Sequence, residues 1–299
     1  MLSDQTGQVY KLFLLSETLL ATQQQAVLQF LGAQKVLLIN AEFARVDDRC
    51  ATLRLQIGRE HLAKFQLSCK LLAEKLAVDI VLLSSEQLTS KRKLAVFDMD
   101  STLIKVEVID ELAKRAGVGE QVIAITAAAM RGELDFNQSF KQRLALLKGL
   151  SATVLAELAA NLPMMEGMQT LIEGLQQRGY KTAILSGGFN YFAEYLQHKY
   201  HFDYAYSNQL DIENGQVTGR VVGAIVNAEM KVSYLQQIAE KEGLDLSATI
   251  AVGDGANDLA MLAAAGLGVA FHAKPLVREQ AEHVVSNIGL DALLYLIAE

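Results

Sequence analysis

The first part of the chain combines short apolar runs with longer segments in which apolar residues recur at helical spacing. This pattern predicts four strands and two helices in the order βαββαβ. In a ferredoxin-like fold this order places both helices on one face of an antiparallel sheet, so we predict an α+β ferredoxin-like domain over residues 1–88. The predicted strands are residues 8–15, 35–43, 51–57 and 79–83, and the predicted helices are residues 22–31 and 60–77.

A second pattern begins at residue 94, after the short polar and basic link Thr89–Lys93. Apolar runs of about five residues alternate with helical stretches, as a parallel sheet with crossover helices requires. We therefore predict an α/β domain over residues 94–299, built on a Rossmann-like parallel sheet. Its three clearest strands are residues 94–98 (LAVFD), 181–186 (KTAILS) and 249–254 (TIAVGD).

The first and second of these strands are separated by Lys105–Arg178, about 75 residues, which is far more than one crossover helix needs. Four segments with helical apolar periodicity predict a small helical cap inserted at about 106–165. Further on, Asn214-Gly215 separates two alternating runs and predicts a β-hairpin beside the sheet. The predicted cap helices are residues 107–117, 119–131, 137–149 and 151–161.

The composition excludes several classes of protein. With 299 residues, 51% of them hydrophobic, the chain can bury a sizeable core, and its net charge of −7 argues against nucleic-acid binding through bulk electrostatics. The longest apolar run, residues 259–271, is shorter than the roughly 20 residues of a membrane span, so we predict no membrane segment. Cys50 and Cys69 form no metal-type cluster and no leader precedes the first predicted strand, which favours the cytoplasm. A homodimer is compatible with the sequence, which leaves the oligomeric state open.

Polar residues follow each of the three clearest strands of the predicted parallel sheet. Asp98 and Asp100 end the first strand, Ser186–Gly188 the second, and Gly253–Asp258 the third. Because ligands bind outside the carboxyl ends of the strands in open α/β sheets, we expect these residues to converge on one site. Several carboxylates packed together need a cation to offset their charge, and oxygen ligands without histidine or cysteine suit Mg²⁺. The sequence therefore predicts a magnesium site.

A phosphate-binding element is predicted beside this metal site. Ser186–Gly188 precedes a helix that should begin near Asn190, and backbone N–H groups at a helix N-terminus favour an anion. Each motif alone has a plainer interpretation, since an Asp-x-Asp pair is common in turns and Lys231 would by itself be a solvated surface lysine. Their joint occurrence, in order and at separate strand ends, favours phosphate chemistry.

The motifs resemble the four ordered motifs of the haloacid dehalogenase-like phosphatases. Segments 97–113 and 127–150 resemble more closely the branch of this family that hydrolyses phosphoserine, which implies conversion of O-phospho-L-serine to L-serine and phosphate, the last step of serine biosynthesis. The N-terminal unit resembles ACT-like small-molecule-binding domains at the level of the fold, which implies a regulatory or assembly role. The four motifs are DMDST at 98–102, SGG at 186–188, Lys231 before a helix, and GDGANDLAML at 253–262.

The resemblance implies a role for each acidic residue. Asp98 would be the nucleophile that forms an aspartyl-phosphate, and it would also bind Mg²⁺. Asp100 would act first as general acid and then as general base, while its backbone carbonyl binds the metal. Asp254 would be the remaining protein ligand of the metal, and Asp258 would orient the metal's water or Lys231.

The resemblance also implies which groups bind the phosphate. Ser186, the Gly187 amide and Lys231 would hold the phosphoryl oxygens and offset their charge during transfer. Asn257 would help to position the substrate.

The cap would recognise the amino-acid part of the substrate. By resemblance, Glu107 and Arg143 face the ammonium and carboxylate groups, and Met130 and Phe136 line the pocket. Spacing alone favours a different interpretation of the last two residues, as apolar core of the cap.

Two other functions are open at this point. A phosphotransferase of the same family would pass the phosphoryl group to an alcohol such as homoserine in place of water. A ligand-sensing protein would use the N-terminal unit as its functional part, with the second domain serving as scaffold. The intact set of carboxylates argues against the scaffold, because so costly a charge cluster has no use there.

Overall fold

The computed structural model describes residues 7–297. The first part of the chain forms the predicted antiparallel sheet, whose two helices share one apolar cluster with the sheet. The strands are β1 (Gln8–Leu15), β2 (Val36–Leu38), β3 (Ala44–Arg45), β4 (Cys50–Ile57) and β5 (Asp79–Ser84), and the helices are α1 (Ala21–Gly32) and α2 (Arg59–Leu76). The order β2-β4-β1-β5 is that of a ferredoxin-like fold, with β3 added beside β4.

The predicted strand over residues 35–43 is only partly correct. Regular pairing stops after β2, where the N–H groups of Ile39 and Asn40 both point to one carbonyl, that of Arg54, at 2.9 and 3.4 Å. The chain then bends and pairs again at β3. Leu37 and Ile39 are exposed, so burial does not hold this apolar run in one continuous strand.

The second part of the chain forms a seven-stranded sheet in the order β12-β11-β10-β6-β7-β8-β9, and all neighbours are parallel except β8 and β9. Its central strands are fully buried, because helices cover both faces of the sheet. The predicted Rossmann-like α/β architecture is confirmed. The strands are β6 (Leu94–Phe97), β7 (Lys181–Phe189), β8 (Tyr204–Glu213), β9 (Gln216–Val222), β10 (Thr249–Gly253), β11 (Leu267–Phe271) and β12 (His283–Val285).

The helices outside the cap connect these strands or flank the sheet. They are α3 (Ser85–Thr89), α8 (Met168–Gln177), α9 (Asn190–Tyr200), α10 (Ala228–Lys241), α11 (Leu259–Ala264) and α12 (Pro275–Gln280), with short 3₁₀ turns at 246–248, 256–258 and 290–295. Helix α9 begins at Asn190, as predicted from the preceding glycines.

Four helices between β6 and α8 form the cap, in the number and order that the sequence predicts. The largest difference between a predicted and an observed helix boundary is in the third helix. It ends at Ala145, and the chain continues as turns to Gly149. The cap helices are α4 (Val108–Arg115), α5 (Gly119–Met130), α6 (Phe136–Ala145) and α7 (Ala152–Ala160).

The predicted hairpin forms the last two strands of the sheet, β8 and β9. Asn214 and Gly215 have φ angles of 51° and 74°, as a tight two-residue hairpin turn requires. The hairpin also holds the cap, since the Gly149 N–H donates to the Val217 carbonyl at 2.8 Å and the Ala152 N–H to the Gly215 carbonyl at 2.8 Å.

The two sheets meet where β5 lies beside β12. Asp79 accepts hydrogen bonds from the backbone N–H groups of Ser286 and Asn287 at 2.8 and 2.9 Å. The connecting link is less exposed than its basic sequence suggests, because Arg92 is only 2% exposed. The outer ends of the two predicted domain ranges, residues 1–6 and 298–299, lie outside the described residues.

Between residues 7 and 297, no helix combines the length and the apolar character that crossing a membrane demands.

Candidate active site

The carboxyl ends of β10, β6 and β7, which are neighbours in the sheet, bring the predicted polar residues together. The Lys231 ammonium group donates to Asp98 Oδ1 at 2.7 Å and to Asp258 Oδ1 at 2.6 Å. Lys231 is fully buried, so the plain interpretation of a solvated surface lysine is wrong. A buried ammonium group shared by two carboxylates offsets part of the charge that the strand ends concentrate here.

Asp98 lies at the end of β6 and is 5% exposed. Burial, followed by the charge of Asp258, raises the pKa of this carboxyl to about 8, although Lys231 acts in the opposite direction. For Lys231 itself, burial opposes the charge, but Asp258 and Asp98 outweigh it and its pKa is raised. The lysine therefore stays charged next to Asp98, while a further positive charge is needed to keep Asp98 fully ionised.

Asp100 lies two residues further on, where the chain turns sharply. Ser101 has a φ angle of 59°, and Asp100 Oδ1 accepts from the Val108 N–H at 3.2 Å. Burial, then the charges of Glu107 and Asp98, raise the pKa of Asp100 well above its ordinary value. A carboxyl that holds its proton near neutral pH is suited to act as a general acid.

Two further acidic residues follow β10. Asp258 accepts from the N–H groups of Gly255 at 2.9 Å and Asp254 at 3.2 Å, so both its oxygens are engaged once Lys231 is counted. Asp254 accepts from the Thr102 hydroxyl at 3.3 Å. Burial raises the pKa of Asp254 to about 6, with the Lys274 charge opposing this shift and Asp258 adding to it.

The donor set fits a divalent cation. Carboxylate oxygens of Asp98, Asp254 and Asp258 lie within 4.8 Å of one another, and all three residues are buried. Burial raises the pKa of both Asp98 and Asp254, so a bound cation would favour their ionised forms. Oxygen donors alone favour a hard cation.

The predicted phosphate-binding element, Ser186–Gly188, lies beside Asp100. The Gly188 N–H donates to Ser186 Oγ at 2.9 Å, which leaves the hydroxyl proton free to donate to a ligand. A Cβ atom on Gly188 would lie 2.7 Å from Asp100 Oδ2, so a side chain at this position would collide with the proposed general acid. The half-buried Asn257 has its amide nitrogen 3.9 Å from the position that a Cβ on Gly187 would take.

Of the four cap residues predicted to bind substrate, three face the strand ends. A Cβ on Gly187 would lie 3.1 Å from the Phe136 ring. Burial lowers the pKa of Arg143, and the charges of Asp110, Glu107 and Asp100 oppose this shift.

Met130 stands apart from the other cap residues. It is 82% exposed at the end of α5, so the interpretation as cap core is wrong for this residue. The structure does not bring Met130 to the site, and its role as a pocket residue stays a prediction.

Two residues at the site were missed by the sequence interpretation. The Lys274 ammonium lies 3.4 Å from Glu107 Oε1 and 3.4 Å from Asp254 Oδ2. It thus pairs with one residue that is predicted to bind the substrate and with another that is predicted to bind the metal. Lys274 follows β11, and extending the strand-end rule to this fourth strand would have found it. Asn208 is fully buried in β8 and bonded to the Gly187 carbonyl at 2.7 Å, and a lone asparagine within a strand gives no such signal.

Comparison with known proteins agrees with this geometry. The profile of the haloacid dehalogenase-like hydrolase family matches residues 92–266, more than half of the chain. The phosphoserine phosphatase of Haemophilus influenzae is 53% identical over 221 residues, which span 74% of this chain and 70% of that protein. A solved HAD family hydrolase from Salmonella enterica serovar Typhi has a TM-score of 0.86 at 33% identity, covering 96% of this chain and 98% of the other. A substrate-bound phosphoserine phosphatase complex has a TM-score of 0.65 at 41% identity, covering 69% of this chain and 99% of the other. The chain therefore belongs to the haloacid dehalogenase-like hydrolases.

Proposed function

We propose that this chain is a phosphoserine phosphatase, which hydrolyses O-phospho-L-serine to L-serine and phosphate. The observation that carries the proposal is the buried ammonium of Lys231 between Asp98 and Asp258, at strand ends that also carry Ser186–Gly188, beside a cap that carries Glu107 and Arg143. This arrangement offers one position for a phosphoryl group and another for an amino acid. The sequence relationship to phosphoserine phosphatases supports the same substrate.

In the first step, an oxygen of Asp98 attacks phosphorus. A bond forms between Asp98 and phosphorus, and the bond between phosphorus and the serine oxygen breaks. Asp100 gives its proton to the leaving serine oxygen, which the raised pKa of its carboxyl permits near neutral pH. Lys231 and Ser186 stay hydrogen-bonded to the phosphoryl oxygens and limit the build-up of negative charge.

In the second step, water cleaves the aspartyl-phosphate. Asp100, now ionised, takes a proton from the water as its oxygen bonds to phosphorus, and the bond between phosphorus and Asp98 breaks. Phosphate leaves, and Asp98 and Asp100 return to their starting states. Asp100 thus serves both steps, because the proton that it gives to serine in the first step is replaced by a proton from water in the second.

The cation that the site fits is proposed to be Mg²⁺. The residues that would hold it are Asp98, Asp254 and the backbone carbonyl of Asp100. Asp258 would orient the metal's water or Lys231. When bound, Mg²⁺ supplies positive charge that keeps Asp98 ionised and neutralises the phosphate during transfer.

Recognition of serine is proposed to rest on the cap. The Arg143 guanidinium can bind the substrate carboxylate through two parallel hydrogen bonds, and Glu107 can pair with the ammonium group. Phe136, next to Gly187, would close the pocket over the phosphate. Asn257 would position the substrate from the other side, and Met130 would reach the pocket only if the end of α5 moves inward.

The N-terminal unit is proposed to regulate or assemble the enzyme, since the residues assigned to chemistry all lie after residue 94. A cytoplasmic location and a homodimer stay predictions.

The test is product analysis with a panel of phosphorylated amino acids and sugars in the presence of Mg²⁺. We expect serine and inorganic phosphate in equal amounts from phosphoserine, and much slower release from the other compounds. Serine release without matching inorganic phosphate, with transfer to an added alcohol, would identify a phosphotransferase. No turnover of any phosphate ester would contradict the proposed function.

A further inference from the structure

Asn208 connects the two segments that bind phosphate in the proposed mechanism. It lies in β8 and is fully buried. Its side-chain Nδ2 donates to the Gly187 carbonyl at 2.7 Å, and its Oδ1 accepts from the Val226 N–H at 2.8 Å. The sequence offers no signal for this role, because asparagine is merely an unfavourable residue within a strand.

The first of these hydrogen bonds lies where the backbone pairing between β7 and β8 is interrupted. Pairing between β7 and β8 runs to Leu185 opposite Tyr206 and resumes at Phe189 opposite Asn208. Three residues of β7, Ser186–Gly188, therefore face a single residue of β8, and the glycine-containing segment bulges out of the ladder towards the site. Its Gly187 carbonyl would lack a partner in the ladder, and the Asn208 amide supplies one.

Fixing this carbonyl also fixes Ser186. The peptide bond is planar, so the Gly187 carbonyl and the Gly188 N–H are oriented as one unit. That N–H donates to Ser186 Oγ at 2.9 Å, and the hydroxyl must therefore direct its own proton elsewhere. A chain of two hydrogen bonds thus runs from Asn208 to the Ser186 hydroxyl, which is proposed to bind the phosphate.

The second hydrogen bond reaches the segment that carries Lys231. Val226 directly precedes Asn227, whose side chain caps α10 by accepting from the Met230 N–H at 3.0 Å. Lys231 lies in the first turns of that helix. Asn208 thus joins the start of α10 to the bulge of β7 through one rigid amide group.

We propose that Asn208 is a positioning residue that sets the distance between Ser186 and Lys231, and hence the affinity of the site for phosphate. The inference rests on the proposed phosphatase function but concerns the phosphoryl group alone. Its effect should therefore be the same for every phosphate ester, in contrast to that of Arg143, which should depend on the amino acid.

The test compares Asn208→Asp and Asn208→Ala with the parent protein. Asn208→Asp keeps the volume and the acceptor for Val226, but places an oxygen against the Gly187 carbonyl. Asn208→Ala removes both hydrogen bonds. The measurements are the dissociation constant of inorganic phosphate for the Mg²⁺-loaded protein by calorimetry, kcat/KM on phosphoserine and on p-nitrophenyl phosphate, the Mg²⁺ affinity and the melting temperature.

The matched control is Asn287→Ala. Asn287 donates to the Val78 carbonyl at 3.0 Å and to Asp79 at 3.0 Å, and so also joins two segments, at the contact between β12 and β5, where it touches none of the residues assigned to phosphate binding. Its loss should lower the melting temperature and leave phosphate binding unchanged. The control separates general destabilisation from an effect on the site.

We expect both Asn208 variants to weaken phosphate binding by about 10-fold to 100-fold, since small displacements of positioned groups cost this much. Losses in kcat/KM should be equal on the two esters, and Mg²⁺ affinity should not change. A folded Asn208→Asp or Asn208→Ala protein that binds phosphate as tightly as the parent would overturn the proposal. If phosphoserine is not a substrate but p-nitrophenyl phosphate and phosphate binding respond as expected, the proposed function fails and this inference stands.

A measurement on the unmodified protein covers the case in which both variants unfold. The side-chain amide protons of Asn208 should resist exchange with water, and their ¹⁵N-correlated resonances should shift when inorganic phosphate is added to the Mg²⁺-loaded protein. The amide resonances of Asn287 should not shift. Unchanged Asn208 resonances under saturating phosphate would overturn the proposal.

Discussion

The ammonium group of Lys231 lies 2.7 Å from the carboxylate of Asp98, although 133 positions separate the two residues along the chain. The pair is buried, so the ionised forms stabilise each other with little screening by solvent. The lysine is also bonded to Asp258, so its ammonium group is held from two sides and fixes one oxygen of Asp98. A nucleophile held in this way can attack a phosphoryl group that the same lysine binds.

The first prediction concerns the covalent step. Asp98→Asn should remain folded, because the amide oxygen can still accept from Lys231, but it should form no phosphoenzyme. Asp100→Asn should slow both formation and breakdown, because it removes the proton donor and acceptor. Rapid acid quenching with ³²P-labelled phosphoserine measures both species. Label trapped on the Asp98→Asn protein would show that another residue is the nucleophile.

The second prediction concerns the cation. Exhaustive treatment with EDTA should abolish turnover, and Mg²⁺ should restore it, because the buried carboxylates need added positive charge. Mg²⁺ should also raise the melting temperature of the unmodified protein, since a ligand that binds only the folded state stabilises it. Asp254→Asn should weaken this thermal effect. Full activity in the chelated protein would contradict the metal assignment.

The third prediction concerns the substrate carboxylate. Arg143→Lys should reduce kcat/KM for phosphoserine, and Arg143→Ala should reduce it further, by about 2–3 kcal/mol in transition-state stabilisation if the contact is desolvated. Neither variant should change kcat/KM for p-nitrophenyl phosphate, which lacks a carboxylate and an amine. An equal loss on both esters would mean that Arg143 supports the fold or the phosphate.

The fourth prediction concerns acid stability at the contact between the two sheets. His283 is buried, and burial, followed by the charges of Arg92 and Lys70, lowers its pKa to about 4. Its Nε2 lies 3.2 Å from the side-chain amide nitrogen of Gln87, a contact that requires the neutral ring to accept. Protonation would break this contact.

The sign follows from where each state binds the proton. His283 binds a proton near pH 6.5 in the unfolded chain but only near pH 4 in the folded chain. The contribution of neutral His283 to the free energy of unfolding is therefore complete above about pH 6.5 and is lost as the pH falls towards 4. The loss approaches about 3 kcal/mol. Melting of the parent and of His283→Gln between pH 7.5 and 5 measures it. The variant should lose less stability than the parent over this range, and identical slopes would contradict the assignment.

The fifth prediction concerns the N-terminal unit. A truncated protein that starts at Thr89 should fold and retain phosphatase activity, because the strand-end residues all lie after residue 94. It should melt at a lower temperature, since removal of β5 leaves the Ser286 and Asn287 N–H groups without Asp79. A folded truncation with no activity would show that the first sheet takes part in the chemistry.

Much of this protein could be predicted from the sequence because the informative features are local. Buried parallel strands need continuous apolar runs, and the residues that follow them must lie at one edge of the sheet. This rule predicts the positions of Asp98, Asp100, Ser186 and Asp254 from the sequence alone. The turn at Asn214-Gly215 and the cap helices are equally local, and their predictions are confirmed.

Only the tertiary structure decided the features that depend on distant contacts. Lys231 has the sequence surroundings of a surface lysine, but in the fold α10 places it against Asp98 and Asp258, which follow β6 and β10, and it is fully buried there. The strand predicted at 35–43 breaks where two of its apolar side chains, Leu37 and Ile39, stay exposed, and Met130 is exposed as well. Asn208 acquires its role from a bulge in the neighbouring strand. Periodicity records which residues are apolar, whereas burial and hydrogen bonding depend on what the fold places against them.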